Sequence, residues 1–404
     1  MLNFQKVANL NRKKNFWISF TLAILALAAG SWGVIQVIIY GNHGSLTSYV
    51  PWGLWVGVYV YLVWLEVGMI LSFFICRRFL KVEGIKHLGP VVMLAAISAL
   101  LGALFAIGMD LGHPFRFWKA YFQPQLGSLM TWMIWLHTLY LFILVGELWA
   151  YKRGREFVDK YEIYLNFLTY ISIPFGVLLI AVIGGLFGVV AARPFWNASV
   201  LPLMFFIASL IAGLGLLTVL HLLFSPRRGT EQYVETAQTL GRLFLGAMLI
   251  GAIASLANGL VIAYPNVPAY AEGLRMVLFG PFWWTIWIIH LGFGLLIPVV
   301  LLAFFRKNLT AIAIATGFYV LAFTMVPVNI IIPGLAYPMP AMEGLREAFH
   351  HTKLSFGYTP SIVEWLVVLF AVGFSLFIFS IGYRYIIEPY FIEHQHEFLP
   401  KVKQ

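Results

Sequence analysis

Asp110 and His137 bracket the stretch of this chain that is richest in chemistry. Residues 109–137, MDLGHPFRFWKAYFQPQLGSLMTWMIWLH, close one apolar run at Asp110, cross a short polar and aromatic connection, and open a second run. His137 stands about two helical turns inside that second run, roughly 12 Å from its outer end. Ionisable groups at membrane depth are costly, so each is a functional candidate. Others occur at comparable depth: Glu66, His290 and, at the helix end, Asp110 itself. Tyr59 shares the helix face of Glu66, Trp283 and Trp287 share the face expected for His290, and Asn258 adds a further polar group in the outer half of its run. Acids, imidazoles, a phenol and indoles on several helices suit a polar head group whose tail stays in lipid. A quinone meets that description, because its two carbonyls need hydrogen-bond donors and its reduction needs two protons. The competing reading is that each group is satisfied by a neighbouring helix.

The elements that must hold these groups follow from composition. The chain is 61% hydrophobic and 10% charged, against about 25% charged in a soluble domain. This composition specifies an all-α, polytopic integral membrane protein. Ten runs reach the ~20 residues needed to cross a bilayer: 16–40, 52–76, 89–110, 129–150, 168–191, 199–223, 243–264, 281–304, 309–332 and 362–387. Spans of that length with no strand-like alternation must be helical, since lipid satisfies no backbone group. The spans read as one membrane domain: an added helix at 16–40, a four-helix bundle over 52–191, a second over 199–332, and an added helix at 362–387. A weak internal echo supports the two units. Span four carries Trp132, Trp135 and His137; span eight carries Trp284, Trp287 and His290.

The net charge of +10 does not indicate nucleic acid, because the basic residues fall in short clusters between apolar runs. With the N-terminus placed inside, only Arg116, Lys119, Arg193, Arg275, Arg346 and Lys353 of the 26 lysines and arginines lie outside. That bias puts both termini in the cytoplasm and the chain in the plasma membrane. No cleavable signal peptide is expected: the span after Lys13 and Lys14 is too long for one. The single cysteine, Cys76, rules out an internal disulfide and any cysteine-held iron–sulfur cluster. His221 and Glu147 read as interfacial residues at inner span ends, with Glu147 also on the face of His137 and Tyr140 and so able to begin a proton path. His43, His87, His350, His351, His394 and His396 read as loop or tail residues.

Three motifs carry a family resemblance. They are Val50-Pro51-Trp52-Gly53-Leu54-Trp55; Asp110-Leu111-Gly112-His113-Pro114-Phe115-Arg116-Phe117-Trp118, followed by Ser128-Leu129-Met130-Thr131-Trp132; and Gly357-Tyr358-Thr359-Pro360-Ser361-Ile362-Val363-Glu364-Trp365. From about residue 45 to 390 the chain resembles the NrfD/PsrC family of polysulfide-reductase-type membrane subunits. The last motif resembles the ten-helix branch that includes hydrogenase-2-type and Dsr-type subunits. The resemblance implies two four-helix bundles and a quinone site near the outer face, with menaquinone as the redox partner. It implies no haem or iron–sulfur cluster in this chain. A ferredoxin-like iron–sulfur subunit would dock outside and relay electrons to a catalytic subunit of molybdopterin-reductase or hydrogenase type. Carried over by position, Asp110, His137, Glu66, Tyr59, Trp132 and His290 are expected to bind quinone and exchange protons, and His113, Arg116 and Trp118 to face the partner. His113 stands where relatives often carry Arg, and Trp132 where some carry a membrane Glu.

Two other functions fit parts of the pattern. A haem b quinol cytochrome would use His137 and His290 as paired ligands at matching depth. A secondary transporter would use ten helices with an internal repeat, and calls for paired helix breaks at mid-membrane.

Overall fold

The computed structural model of the chain describes residues 2–41, 45–153, 158–264, 268–336 and 354–393. His43, His350, His351, His394 and His396, with Arg155, Arg346, Lys353, Lys401 and Lys403, lie outside the described residues. Ten helices are long and apolar enough to cross a membrane: α1 (Lys14–Tyr40), α2 (Leu54–Phe79), α3 (Glu83–Asp110), α4 (Leu129–Lys152), α5 (Ile163–Gly188), α6 (Leu201–Phe224), α7 (Glu231–Ala263), α8 (Thr285–Phe305), α9 (Leu309–Ala336) and α10 (Ile362–Glu393). No strand occurs among the described residues. The expected all-helical, multi-pass architecture is therefore present.

Several boundaries differ from the hydropathy reading, each for a local reason. Helix α7 begins twelve residues before the expected 243 because Thr230 caps it, its hydroxyl accepting from the Tyr233 amide. The intervening turns are polar, so hydropathy alone passes over them. Helix α8 begins at Thr285 rather than 281, after a break at Gly280–Pro281. Asn308 caps α9, accepting from the Thr310 amide at 2.8 Å. Helix α9 is not one straight rod: it divides into Leu309–Ala322 and Met325–Ala336. Its counterpart in the proposed repeat, α5, runs without a break through Pro174, so the paired mid-membrane breaks expected of a transporter are absent among these described helices.

Helix α2 is buried along nearly its whole length, whereas α7 exposes almost all of its apolar surface. The contacts explain the difference. Helix α2 packs on α3, α5, α6 and the second half of α9. Helix α3 touches α4, and α4 touches α5; α6 touches α7 and α9, and α8 touches both α7 and α9. Helix α1 lies along α10, which rests on α3. The α2–α6 seam is the closest, because a methyl group built on Gly68 would overlap the Ser209 backbone and one on Gly213 would overlap that of Gly68. Small residues allow this backbone approach, which is how helices gain van der Waals contact where lipid offers no hydrophobic driving force.

Candidate functional site

Helix α4 shows how the fold gathers the polar residues. Leu139, Phe142, Val145 and Trp149 are exposed on its outer side, while His137, Tyr140, Leu144 and Glu147 are buried. The two sets repeat every three or four residues, so each occupies one face of the helix. In a membrane the apolar face meets lipid, and the polar face must find protein. That face meets α2, where Trp55, Tyr59 and Glu66 are also buried.

At the outer end, two polar pairs lie one turn apart on α2. The Trp55 indole Nε1 donates to Asp110 Oδ1 at 2.7 Å. Asp110 is the last residue of α3, where the partial negative charge of a helix C-terminus opposes a carboxylate. The indole N–H offsets that opposition. One turn inward, the Tyr59 hydroxyl lies 3.4 Å from His137 Nε2. His137 Nδ1 lies 2.7 Å from the Met133 carbonyl, which can only accept, so Nδ1 carries a hydrogen. In the neutral ring this leaves Nε2 to accept from Tyr59. The helix end beside Asp110 is open: no heavy atom stands within 4 Å of a side-chain position built at Gly108, and Leu111 is exposed.

Glu66 lies deeper and is fully buried, with no hydrogen-bond partner for either carboxylate oxygen among the described residues. Its charge acts on both Tyr59 and Tyr140. The structure therefore gathers Asp110, Tyr59, His137 and Glu66 along the α2–α4 contact. Trp132 is placed differently. It is half-exposed and donates to the Leu126 carbonyl, pinning the connection that precedes α4. His290 sits on α8 with its ring edge-on to Phe323 of α9. Its stretch, Thr285–Leu296, is a π-helix, whose wider turns remove the face-sharing with Trp283 and Trp287 that ordinary helical spacing predicts. Trp287 instead donates to the Leu278 carbonyl. Asn258 is half-exposed on the lipid side of α7.

His113, Arg116 and Trp118 are all exposed on the connection between α3 and α4. This connection folds as a short turn, Pro114–Arg116, and one helical turn, Lys119–Phe122. Phe115, Phe117, Phe122 and Leu126 are exposed on it as well.

Two residues expected at the interface are buried. Glu147 has no exposed surface, and its polar neighbours are Ser172 and Arg77. His221 is covered by the start of α7: it stacks on Tyr233 and its Nε2 lies 3.0 Å from the Tyr233 carbonyl. A further cluster was visible in sequence only as part of a motif. The Glu364 carboxylate accepts from the Leu54 amide at 3.1 Å, from the Tyr358 hydroxyl and from Ser45, and it completes a capping box with Ser361. Burial, with the Glu364 charge alongside, holds the Tyr358 phenol well above its ordinary range, so it stays a donor. This cluster anchors the first turn of α2 and so fixes Trp55 and Tyr59.

No group of three or more His, Cys, Asp or Glu side chains converges to hold a metal among the described residues. Both nitrogens of His137 are engaged, with Tyr59 and Met133, which leaves neither free as an iron ligand.

The family profile described as Polysulphide reductase, NrfD matches residues 44–338. The chain belongs to this family. The matched region runs from the loop before α2 to the end of α9, and so contains every site residue described above except the Tyr358–Glu364 cluster. The chain is 26% identical to a selenate reductase subunit from Mesobacillus selenatarsenatis, covering 86% of this chain and 89% of that protein. It is 24% identical to the Hdr-like menaquinol oxidoreductase integral membrane subunit of Archaeoglobus fulgidus, over 90% and 92% of the two chains. It is 21% identical to the menaquinone reductase integral membrane subunit of Nitratidesulfovibrio vulgaris, over 92% and 90%.

Proposed function

We propose that this chain is the quinone-reactive membrane subunit of a multisubunit oxidoreductase, passing electrons between menaquinone and an iron–sulfur partner subunit. The observation that carries the reading is the pairing of Trp55 with Asp110 and of Tyr59 with His137 on successive turns of α2, beside an open helix end. The residues fit a quinone head group: a phenol and an imidazole offer hydrogen bonds, and a carboxylate stands at an accessible edge. A bound quinone supplies a two-electron, two-proton couple. Tyr59 and His137 would orient one carbonyl, Asp110 would exchange a proton at the outer edge, and Glu66 would do so from beneath. Trp132 and His290 are lesser members of this set, Trp132 by bracing the connection above the site and His290 from the opposite group of helices. Relatives named as menaquinol oxidoreductase and menaquinone reductase membrane subunits support the assignment.

The charge bias supports cytoplasmic termini and a place in the plasma membrane. The helix neighbours support two four-helix units, α2–α5 and α6–α9, with α1 and α10 added at one side. The exposed connection carrying His113, Arg116 and Trp118 then faces outward as the docking site for a ferredoxin-like subunit. A catalytic subunit of molybdopterin-reductase or hydrogenase type would lie beyond it; the relative from a selenate reductase favours a reductase. Mass spectrometry of the complex, mildly solubilised from native membrane, tests this. Co-purification of an iron–sulfur protein and a large catalytic subunit is the expected result. Recovery of the chain alone at high yield would sink the proposal.

A further inference from the structure

The quinone reading leaves a second set of buried groups unused. Inward from His137, helix α4 carries Tyr140, Glu147 and Tyr151 on the same face. At 1.5 Å per residue, Glu147 lies about 15 Å below His137, and Tyr151 about 6 Å further. Glu66 faces the upper part of this column from α2. Glu66, Tyr140 and Glu147 are each fully buried, and none of their side-chain oxygens has a hydrogen-bond partner among the described residues. The Tyr140 hydroxyl would lie 3.1 Å from a methyl group built on Gly176 of α5, and Val67 of α2 would lie 3.0 Å from it, so the column runs between α2, α4 and α5. Leu144 is the one apolar residue on this face.

The groups act on one another in series. Glu66 acts on Tyr59 and Tyr140; Glu147 acts on Tyr140 and Tyr151. Ser172 of α5 and Arg77 flank Glu147. Arg77 Nη1 donates to the Tyr151 hydroxyl at 3.1 Å. Arg77 lies on a π-helical turn, Ile75–Phe79, where α2 ends among the basic residues of the inner face. The ionisable groups facing the column are therefore Tyr59, His137, Glu66, Tyr140, Glu147, Tyr151 and Arg77. Their oxygens and nitrogens connect the Tyr59–His137 pair to the basic end of α2. Unpaired carboxyls at membrane depth persist where they serve proton transfer.

We infer that Glu66, Tyr140 and Glu147 form a proton relay between the inner face and the outer-half site. The inference rests on the quinone reading above. Reduction of one quinone takes two electrons and two protons, and forms two O–H bonds. The electrons come from the iron–sulfur partner on the outer side. The protons come from the inner side, with Glu147 refilled past Arg77 and Tyr151. Charge therefore separates across the membrane with each turnover.

The test uses the whole complex in liposomes, with a pH-indicating dye trapped in the lumen. A membrane-impermeant reductant feeds only complexes whose partner subunit faces outward, and a soluble naphthoquinone is the acceptor. The wild-type lumen should lose two protons per quinone reduced. Glu147→Gln should slow both luminal alkalinisation and turnover about tenfold or more, with the KM for naphthoquinone unchanged. Glu147→Asp should retain most of both, and Tyr140→Phe should give an intermediate loss. Infrared difference spectra of the resting complex should also lose one carboxylic-acid band in Glu147→Gln. Wild-type turnover with no luminal pH change, or full activity in Glu147→Gln, overturns the relay and leaves the quinone reading standing. If Glu147→Gln does not assemble, Tyr140→Phe at wild-type rate overturns it. No quinone reaction in the wild-type complex removes both.

Discussion

The Trp55–Asp110 hydrogen bond can be weighed by a double-mutant cycle of Trp55→Phe and Asp110→Ala. At 2.7 Å the bond is at the short end of the charge-assisted range. Hydrogen bonds to charged groups contribute about 1.5–3 kcal/mol net. Asp110 is half-buried, so water competes for it, and the lower end applies. The expected coupling is about 1.5 kcal/mol, near a tenfold change in the folded-to-unfolded ratio. Trp55→Phe also empties part of a fully buried site, but that cost occurs on both legs containing the substitution and cancels. Asp110→Asn is the informative third variant. It keeps the acceptor and the size, so stability should fall by about 1 kcal/mol or less. It removes the exchangeable carboxyl proton, so quinone turnover should fall about a hundredfold or more. The four proteins of the cycle, and Asp110→Asn, would be compared by unfolding of the solubilised complex and by naphthoquinol oxidation. A coupling below about 0.5 kcal/mol, or wild-type turnover in Asp110→Asn, would refute the reasoning.

Three further outcomes follow from the packing and the surface. Glu364→Ala should destabilise the complex by about 2–5 kcal/mol, since it removes a cap and strands the buried Leu54 amide and Tyr358 hydroxyl; Glu364→Gln should recover part of this in the same unfolding assay. Gly68→Ala should lower the yield of folded protein far more than Gly108→Ala, because the first new methyl meets the α6 backbone and the second meets open space; detergent-resistant yield on size exclusion reads the difference. Arg116→Ala with Trp118→Ala should release the partner subunit during purification while leaving naphthoquinol binding to the membrane chain unchanged, as measured by fluorescence quenching.

The helix count was legible because lipid leaves a backbone of this length no other satisfied conformation. The inner boundaries were less so. The first turns of α7 are helical by virtue of the Thr230 cap and packing, and their polar residues carry no hydropathy signal. His221 and Glu147 illustrate the same limit: a polar residue near a span end looks interfacial in sequence, and only the covering helix or the facing column decides that it is buried. The grouping of Trp283, Trp287 and His290 failed because it assumed a regular α-helical turn where the backbone widens to a π-helix. Tyr140 had a usable signal, lying on the His137 face, but nothing in its own segment shows that its hydroxyl lies without a partner against Gly176.

By itself the amino-acid sequence determined the class of molecule, the number of spans, the family, and the identity of the groups able to do chemistry, because each of these depends on local composition or a contiguous motif. Only the tertiary structure decided which of those groups meet. Tyr59 pairs with His137, Trp55 with Asp110, and Glu364 with the start of a helix 310 residues earlier. Depth in a membrane is encoded along one helix axis. Which way a polar face turns, and whether it finds lipid, a partner or a column of like groups, depends on how the other helices pack around it.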